Sequence, residues 1–106
     1  MEVKVLWSDT ALGQLEDIYS YYKEKASPTV ARKIVKKLIE VSLILESNPM
    51  VGVLEPLLKG RVYGKEYRFL VEKNYKIIYC FNANIVEVMA VFDARQNPEK
   101  LKALTD

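Results

Sequence analysis

The chain has 106 residues, half of them hydrophobic and 28% charged, a composition typical of one globular domain rather than of a disordered protein. Sixteen lysines and arginines against fourteen aspartates and glutamates leave a net charge of +2, which argues against a strongly cationic nucleic-acid coat protein. Histidine is absent and Cys80 is the only cysteine. These counts exclude Ser-His and Cys-His catalytic schemes, disulfides within the chain and multi-cysteine metal sites.

The first residues alternate charged and apolar side chains, which predicts a short strand over 3–7. They lack the apolar stretch of a signal peptide. The longest apolar runs of the chain, such as 77–81, are far shorter than the ~20 residues that cross a bilayer. We therefore expect a cytoplasmic protein that makes no contact with a membrane.

Two amphipathic helices are predicted next. Ser8 can cap the first, whose apolar residues recur at helical spacing over 11–22. Ser27 caps the second, with Pro28 at its first helical position, and the pattern continues to about Glu46. Because the connection between them is so short, the two helices should form an antiparallel hairpin.

The remainder of the chain predicts strands. Residues 48–64 are rich in proline and glycine and are expected to be irregular. The hydrophobic period then changes from about 3.6 to 2, which predicts strands over 67–71, 75–81 and 85–92 joined by tight hairpin turns. A proline after asparagine then indicates a short C-terminal helix over 99–104.

Strands grouped after helices indicate an α+β fold of one domain, 1–106. The expected order is β-α-α-β-β-β, with the helical hairpin on one face of an antiparallel sheet and the short helix at the C-terminus. Apolar side chains alternate onto both faces of the predicted sheet, while only one helical layer is available. We therefore expect the second face to leave surface for a partner.

Basic residues are concentrated in two places. Residues 59–76 hold six lysines and arginines against two glutamates, with three tyrosines among them. Such a mixture could bind phosphates and stack bases, or it could be solvated charge at strand ends beside packed tyrosines. The second helix carries Arg32, Lys33, Lys36 and Lys37. These form either a solvated face or a rail for an acidic partner segment.

The end of the last strand carries Asp93 and Arg95. Followed by a capped helix, they could form an anion-binding corner, or simply a surface ion pair in a turn. Cys80, within an apolar strand, is expected to be a small buried hydrophobic residue. No common enzyme motif and no cofactor or metal site is predicted. For metal-free RNA cleavage the chain offers cations and proton donors, but it lacks an effective general base at neutral pH.

Five segments in this order resemble one family: 7–11, 48–52, 67–70, 75–79 and 91–98. They carry Trp-Ser-Asp-Thr-Ala, Asn-Pro-Met-Val-Gly, Tyr-Arg-Phe-Leu, Tyr-Lys-Ile-Ile-Tyr and Val-Phe-Asp-Ala-Arg-Gln-Asn-Pro. Together they make the chain similar to toxins of bacterial type II toxin–antitoxin modules in the RelE/ParE superfamily, in particular to ParE-like plasmid stabilisation proteins. The resemblance implies a helical hairpin on an antiparallel sheet and neutralisation by a cognate antitoxin protein.

The superfamily contains two activities. ParE-like members bind DNA gyrase and hydrolyse nothing, which is the activity we expect here. The resemblance then implies target contact by Arg68, Tyr75, Lys76, Asp93 and Arg95. The last strand ends without the histidine and tyrosine of RNase-type members, and Asp93 stands where ParE-like members often have a histidine. Arg68 could instead be structural, paired with a carboxylate beside the sheet.

Two alternatives stay open. RelE-like members cut messenger RNA on the ribosome, so the partners would be the ribosome and mRNA. In that case Arg68 and Arg95 would stabilise phosphate charge, and Tyr75 or Tyr79 would donate a proton. The third alternative is an inactive relative that only binds a partner.

Overall fold

The computed structural model describes residues 2–55 and 66–95, which form two helices against a five-stranded sheet. The elements are, in chain order, β1 (Lys4–Trp7), α1 (Asp9–Lys25), α2 (Pro28–Ser42), a 3-10 turn (Leu43–Glu46), β2 (Val53–Leu54), β3 (Arg68–Glu72), β4 (Tyr75–Asn82) and β5 (Ile85–Asp93). The predicted α+β class and the helical hairpin are confirmed. The predicted C-terminal helix over 99–104 lies outside the described residues.

Serine caps both helices as predicted. The Ser8 hydroxyl accepts a hydrogen bond from the Ala11 amide at 3.1 Å, and the Ser27 hydroxyl accepts one from the Val30 amide at 3.1 Å. Each bond satisfies an amide that has no partner within the first helical turn. Pro28 occupies the start of α2, where no amide hydrogen is required.

The second helix ends earlier than the apolar pattern predicted. Its α-helical part stops at Ser42, and the next four residues tighten into the 3-10 turn that reaches Glu46. The Ser42 hydroxyl donates to the Ile39 carbonyl oxygen at 2.6 Å, so it competes with the backbone for that acceptor. A tightened last turn of this kind is common at helix ends and leaves the side-chain pattern nearly unchanged.

The sheet is mixed rather than wholly antiparallel. Its strand order is β1-β5-β4-β3-β2, and β1 runs parallel to β5 while the other pairs are antiparallel. The parallel pair was not predicted, because nothing in a short N-terminal strand specifies its partner. A parallel partner needs a long connection, and the helices and three strands between β1 and β5 supply it. The two residues of β2, Val53–Leu54, were too few to show an alternation within the predicted irregular segment.

Tight turns join the last three strands. Lys73–Asn74 connect β3 to β4, and Ala83–Asn84 connect β4 to β5. Backbone φ is positive at Lys73, Ala83 and Asn84, at 53°, 51° and 64°. This left-handed conformation is typical of two-residue hairpin turns, whose twist matches that of the strands. The β4–β5 register shifts between Ile78 and Tyr79, which leaves Met89 of β5 as a bulge.

Both faces of the sheet bury apolar side chains. On the face toward the helices (the helix face), Ile77, Val88 and Val91 of the sheet pack against Ala11 and Leu15 of α1 and Leu38 of α2. The opposite, outer face holds a second cluster of Tyr67, Ile78, Ala90 and Phe92, none more than 8% exposed. The expectation of an open second face is therefore wrong at the centre of the sheet. Cys80, at the edge of this cluster, is half-buried rather than buried. Within the described ranges, neither helix has the length and apolar character needed to span a bilayer.

Candidate functional site

A cleft of about 600 Å³ lies between α1, the start of β4 and the end of β5. We call it the tyrosine cleft. Its lining residues are Gln14, Asp17, Ile18, Tyr21, Tyr22, Tyr75, Val91, Phe92, Asp93 and Arg95. One helix and two strand ends therefore supply its walls. Three tyrosine side chains and one ion pair dominate its chemistry.

The cleft forms because β5 pairs with β1 only along its first half, whereas its second half lies beside α1. Strand β1 stops at Trp7, and the Ser8 amide then donates to the Val88 carbonyl oxygen at 3.0 Å. Further along β5, the Val91 amide donates to the Gln14 side-chain oxygen at 2.7 Å. A helical side chain thus satisfies a strand amide that would otherwise lack a partner. Because a helix is wider than a strand, a gap remains beyond this contact.

Tyrosines form the wall between α1 and β4. The hydroxyl oxygens of Tyr75 and Tyr22 lie 3.5 Å apart, and the rings of Tyr21 and Tyr22 meet edge to face with centroids 5.0 Å apart. Burial, with a smaller effect of the Tyr22 contact, raises the pKa of Tyr75 well above its ordinary value. The Tyr75 hydroxyl is therefore neutral at physiological pH and acts as a hydrogen-bonding group rather than as a ready acid.

Asp93 and Arg95 form a two-point ion pair at the rim. Arg95 Nε lies 3.0 Å from Asp93 Oδ1, and Arg95 Nη2 lies 2.8 Å from Asp93 Oδ2. The Arg95 amide also donates to Asp93 Oδ1 at 2.9 Å, and the Ala94 amide donates to the Asn74 carbonyl oxygen at 2.7 Å. The turn after β5 is thereby fixed. The expected ion pair is present, and the helix start that the anion-binding alternative requires lies outside the described residues.

The pair orients the guanidinium without hiding it. The Arg95 side chain is 64% exposed, whereas the Asp93 side chain is only 16% exposed. Hydrogen bonds from Arg95 hold the pKa of Asp93 below its ordinary value, and Asp93 raises the pKa of Arg95, so both groups stay charged. Asp93 uses two of the five N–H donors of the guanidinium. The others make no hydrogen bond to the described residues.

Arg68 and Tyr79 lie elsewhere, beneath the loop that precedes β2. Arg68 Nη1 donates to the Gly52 carbonyl oxygen at 2.9 Å. Tyr79 is fully buried; its hydroxyl donates to the Pro49 carbonyl oxygen at 2.8 Å and accepts from the Gly52 amide at 2.9 Å. Within the described residues, the hydrogen bonds of Arg68 go to the backbone carbonyl oxygens of Met50 and Gly52 and not to the expected carboxylate. These two side chains hold a loop in place.

Lys76 lies on the outer face, away from the tyrosine cleft. Its Nζ is 3.1 Å from Glu55 Oε2 and 4.2 Å from the centre of the Phe69 ring. Glu55 is only 1% exposed, so the lysine neutralises a buried carboxylate. Of the basic residues over 59–76, Lys59, Arg61 and Lys65 lie outside the described residues.

The structure therefore brings together three of the expected contact residues, Tyr75, Asp93 and Arg95, and separates Arg68, Tyr79 and Lys76 from them. Sequence reasoning missed the contribution of α1, whose tyrosines and Gln14 complete the cleft. Tyr22 has the spacing of a core residue, and its position beside a strand end depends on tertiary packing. Within the described residues, no three cysteine, aspartate or glutamate side chains are grouped as a metal site would require. The arrangement offers aromatic surface and a fixed cation for non-covalent docking.

Comparisons with known proteins agree with this architecture. A solved chain described as the "Chromosomal ParDE TA system from P. aeruginosa" is similar in fold, with a TM-score of 0.70 and 18% sequence identity, over 88% of this chain and 97% of that one. No curated protein matches the sequence at a significant level. The model of the family described as "ParE toxin of type II toxin-antitoxin system, parDE" matches residues 5–98. The match spans nearly the whole chain, as the motif resemblance predicted, and the protein belongs to the ParE toxin family.

Proposed function

We propose that this protein is a toxin that inhibits DNA gyrase by direct binding and is neutralised by a cognate antitoxin. Family membership supports the toxin class. The observation that supports docking is the Asp93–Arg95 pair, which presents an exposed, oriented guanidinium at the rim of the tyrosine cleft. Arginine beside tyrosine is a combination enriched at the energetic centres of protein interfaces.

The residues considered for target contact would have different roles in binding. Arg95 would bind the target through the donors that Asp93 leaves unused, and Asp93 would hold the guanidinium plane in one orientation. Tyr75 and Tyr22 would supply apolar ring surface and hydroxyl hydrogen bonds at little entropic cost. Arg68 would contribute indirectly, by holding the loop at Gly52. Lys76, paired with Glu55, would stabilise the outer face.

Placement of the residues considered for RNA cleavage favours docking over hydrolysis. Tyr79 is fully buried between two backbone groups, and Arg68 is bound to the same loop. Tyr75 and Arg95 lie in the separate tyrosine cleft. A phosphate at Arg95 would therefore have no second arginine of this set beside it, and the raised pKa of Tyr75 makes it a weak proton donor.

The deciding experiment measures supercoiling by purified gyrase in the presence of the protein. We expect Arg95→Ala to raise the concentration needed for half-inhibition by at least about tenfold, because truncating an arginine at the energetic centre of an interface typically costs about 2 kcal/mol or more. The matched control is Arg32→Ala, an exposed arginine on α2 that should leave inhibition unchanged. Thermal unfolding of both variants confirms that the fold is intact.

The same protein, induced in cells without antitoxin, separates the alternatives. Loss of supercoiling with intact messages supports gyrase inhibition. Cleavage of messages at fixed codon positions, with supercoiling unaffected, would establish the ribosome-dependent RNase instead. Unimpaired growth together with an inactive gyrase assay would leave a partner-binding relative without toxicity. Undiminished inhibition by Arg95→Ala would move the contact away from the tyrosine cleft.

A further inference from the structure

Gln14 of α1 lines the tyrosine cleft and uses only one end of its carboxamide within the described part of the chain. Its Oε1 atom accepts a hydrogen bond from the Val91 amide at 2.7 Å. A strand amide offers only a hydrogen, so the end of the carboxamide that meets it must be the oxygen. The two ends of the carboxamide are therefore distinguished, and its NH2 group is left for another partner.

The NH2 group of Gln14 is open to the cleft. Its Nε2 atom makes no hydrogen bond to a described residue. Every buried side-chain nitrogen and oxygen atom of the described residues has a hydrogen-bond partner, so Nε2 is not one of the buried atoms. Because Gln14 as a whole is half-buried and lines the cleft, this group reaches solvent through the cleft.

Two hydrogen-bond donors of the cleft are thus oriented by the protein itself. Asp93 fixes the guanidinium of Arg95 on the strand side, and the Val91 amide fixes the carboxamide of Gln14 on the helix side. A side chain that is already oriented loses less conformational entropy on binding than a free one does. Both donors keep N–H groups that bond to no described residue, so both can bind an acceptor on a partner.

The charge of the lining favours a neutral acceptor for Gln14. Among the residues that line the cleft, Asp17 and Asp93 are negative and Arg95 is positive. Asp93 and Arg95 neutralise each other, so the exposed Asp17, one helical turn from Gln14, leaves the lining negative. A carboxylate beside Gln14 would be repelled by this charge, whereas a carbonyl oxygen would not.

We propose that Gln14 is a specificity-determining contact of the toxin, whose NH2 group donates a hydrogen bond to a carbonyl oxygen of the target. This role rests on the proposed inhibition of gyrase through the tyrosine cleft. Oε1 stays bonded to Val91 in the complex, so the carboxamide connects β5 with the target. Arg95 and Gln14 then bind the target from two walls of the cleft, and the tyrosine rings contact the surface between them.

The test is the gyrase supercoiling assay with Gln14→Glu in the full chain. This variant keeps an oxygen for the Val91 amide but replaces the NH2 donor with a second acceptor. We expect the concentration needed for half-inhibition to rise about tenfold, because a carbonyl oxygen of the target then faces a carboxylate and has no donor. The matched control is Ser20→Glu, which adds a carboxylate to an exposed position of α1 outside the cleft and should inhibit like the unchanged protein.

Two further measurements separate a direct contact from a structural role and from a charge effect. Thermal unfolding and the solvent exchange of the Val91 amide should be nearly the same in Gln14→Glu and in the unchanged protein. If Gln14 only supports β5, Gln14→Glu will inhibit fully, and the proposal is then wrong. The double variant Gln14→Glu/Asp17→Asn restores the charge of the lining and should still inhibit weakly. Full inhibition by this variant would assign the loss to charge alone and overturn the contact.

A photo-reactive benzophenone side chain at Asp17 gives the answer if Gln14→Glu does not fold. Crosslinks to gyrase from this exposed position, with none from the same group at Arg32, would support a target beside Gln14. No crosslink from position 17 would refute the contact.

Growth of cells without antitoxin distinguishes failure of this proposal from failure of gyrase inhibition. If the unchanged protein arrests growth without inhibiting gyrase, gyrase is the wrong target, and weaker arrest by Gln14→Glu than by Ser20→Glu would still support the contact. Equal arrest by these two variants would refute it. If the unchanged protein neither inhibits gyrase nor arrests growth, both proposals are wrong.

Discussion

The buried hydroxyl of Tyr79 satisfies two backbone groups of the loop before β2. It donates to the Pro49 carbonyl oxygen and accepts from the Gly52 amide, deep enough that water cannot replace it. Gly52 is needed because of this close approach. A Cβ atom built there would lie 2.5 Å from the Tyr79 hydroxyl oxygen and 2.9 Å from the Phe69 carbonyl oxygen. The glycine that ends the Asn-Pro-Met-Val-Gly segment is thus required by the packing of one tyrosine.

We predict that Tyr79→Phe lowers the free energy of unfolding by about 1–3 kcal/mol, because it leaves a buried amide and a buried carbonyl without partners. Urea denaturation measures the change. Tyr19→Phe is the matched control, since Tyr19 is half-buried and makes no hydrogen bond among the described residues. Equal stability of the two variants would show that water reaches the loop.

The ion pair at the rim predicts a pH dependence. Because Arg95 holds the pKa of Asp93 below its ordinary value, the pair stabilises the fold at pH values above that ordinary value, near 4, and the contribution is lost as pH falls through the lowered pKa. An NMR titration should show the Asp93 carboxyl protonating at lower pH than a free aspartate. Arg95→Ala should return its pKa upward, and Arg32→Ala should not. An unchanged Asp93 titration in Arg95→Ala would contradict the pairing.

At the scale of elements, the start of α1 is tied to the sheet as well as capped. The Ser8 hydroxyl accepts from the Ala11 amide and donates to the carbonyl oxygen of Met89, the bulged residue of β5, at 3.1 Å. Ser27 caps α2 from an exposed position and makes only the capping bond. One serine therefore joins helix to sheet, and the other serves its helix alone.

The two serines give a matched pair of variants. Ser8→Ala should destabilise the protein by about 2 kcal/mol, because it removes the cap and leaves the Met89 carbonyl without its partner. Ser27→Ala should cost about 1 kcal/mol or less, as the loss of an exposed cap does. Thermal and urea unfolding of the two variants give the difference. Equal losses would mean that the bond to Met89 contributes nothing measurable.

Much of the element order could be predicted from the sequence. The serine caps, the helical spacing of apolar residues and the change of period after the loop located both helices and the last three strands within a few residues. Two features had no local signal. The partner of β1 is chosen by contacts between residues 81 positions apart, such as Lys4 and Ile85, and β2 has only two residues. Pairing and register of this kind depend on the whole sheet.

For the same reason, only part of the candidate site could be predicted from the sequence. Asp93 and Arg95 adjoin in sequence, so their pairing could be anticipated. That Tyr75 would join them from another strand, while Tyr79 and Arg68 on the same sheet would turn to a loop, depends on where α1 crosses β5. Composition could show the lysines of α2, but only the fold shows that two of them face Lys73 across an apolar floor.

For the molecule as a whole, β5 is the element on which the others assemble. It lies between β1 and β4 in the sheet, and α1 packs on its helix-face side chains, including Val88 and Val91. β1, the first strand of the chain, can therefore pair only after β5 has formed. Contacts so distant in sequence make folding slower than local contacts would.

We predict that a chain ending at Asn82 does not fold. Without β5, the apolar stripe of α1 has no sheet beneath it and β1 has no partner. Far-UV circular dichroism should show little regular structure, and urea should produce no cooperative transition, whereas the full chain should unfold in one step. A sigmoidal unfolding curve for the shortened chain would show that the helical hairpin and the other strands suffice.

The position of Asp93 and Arg95 at the end of β5 has a consequence for synthesis. The ribosome releases these residues only after every strand and helix beneath them has emerged, and until β5 is complete nothing holds the guanidinium at the rim of a formed cleft. Under the proposed function, the nascent polypeptide is therefore harmless until β5 has been synthesised and has paired. Harm begins only after β5 has formed, which gives a newly made antitoxin time to arrive.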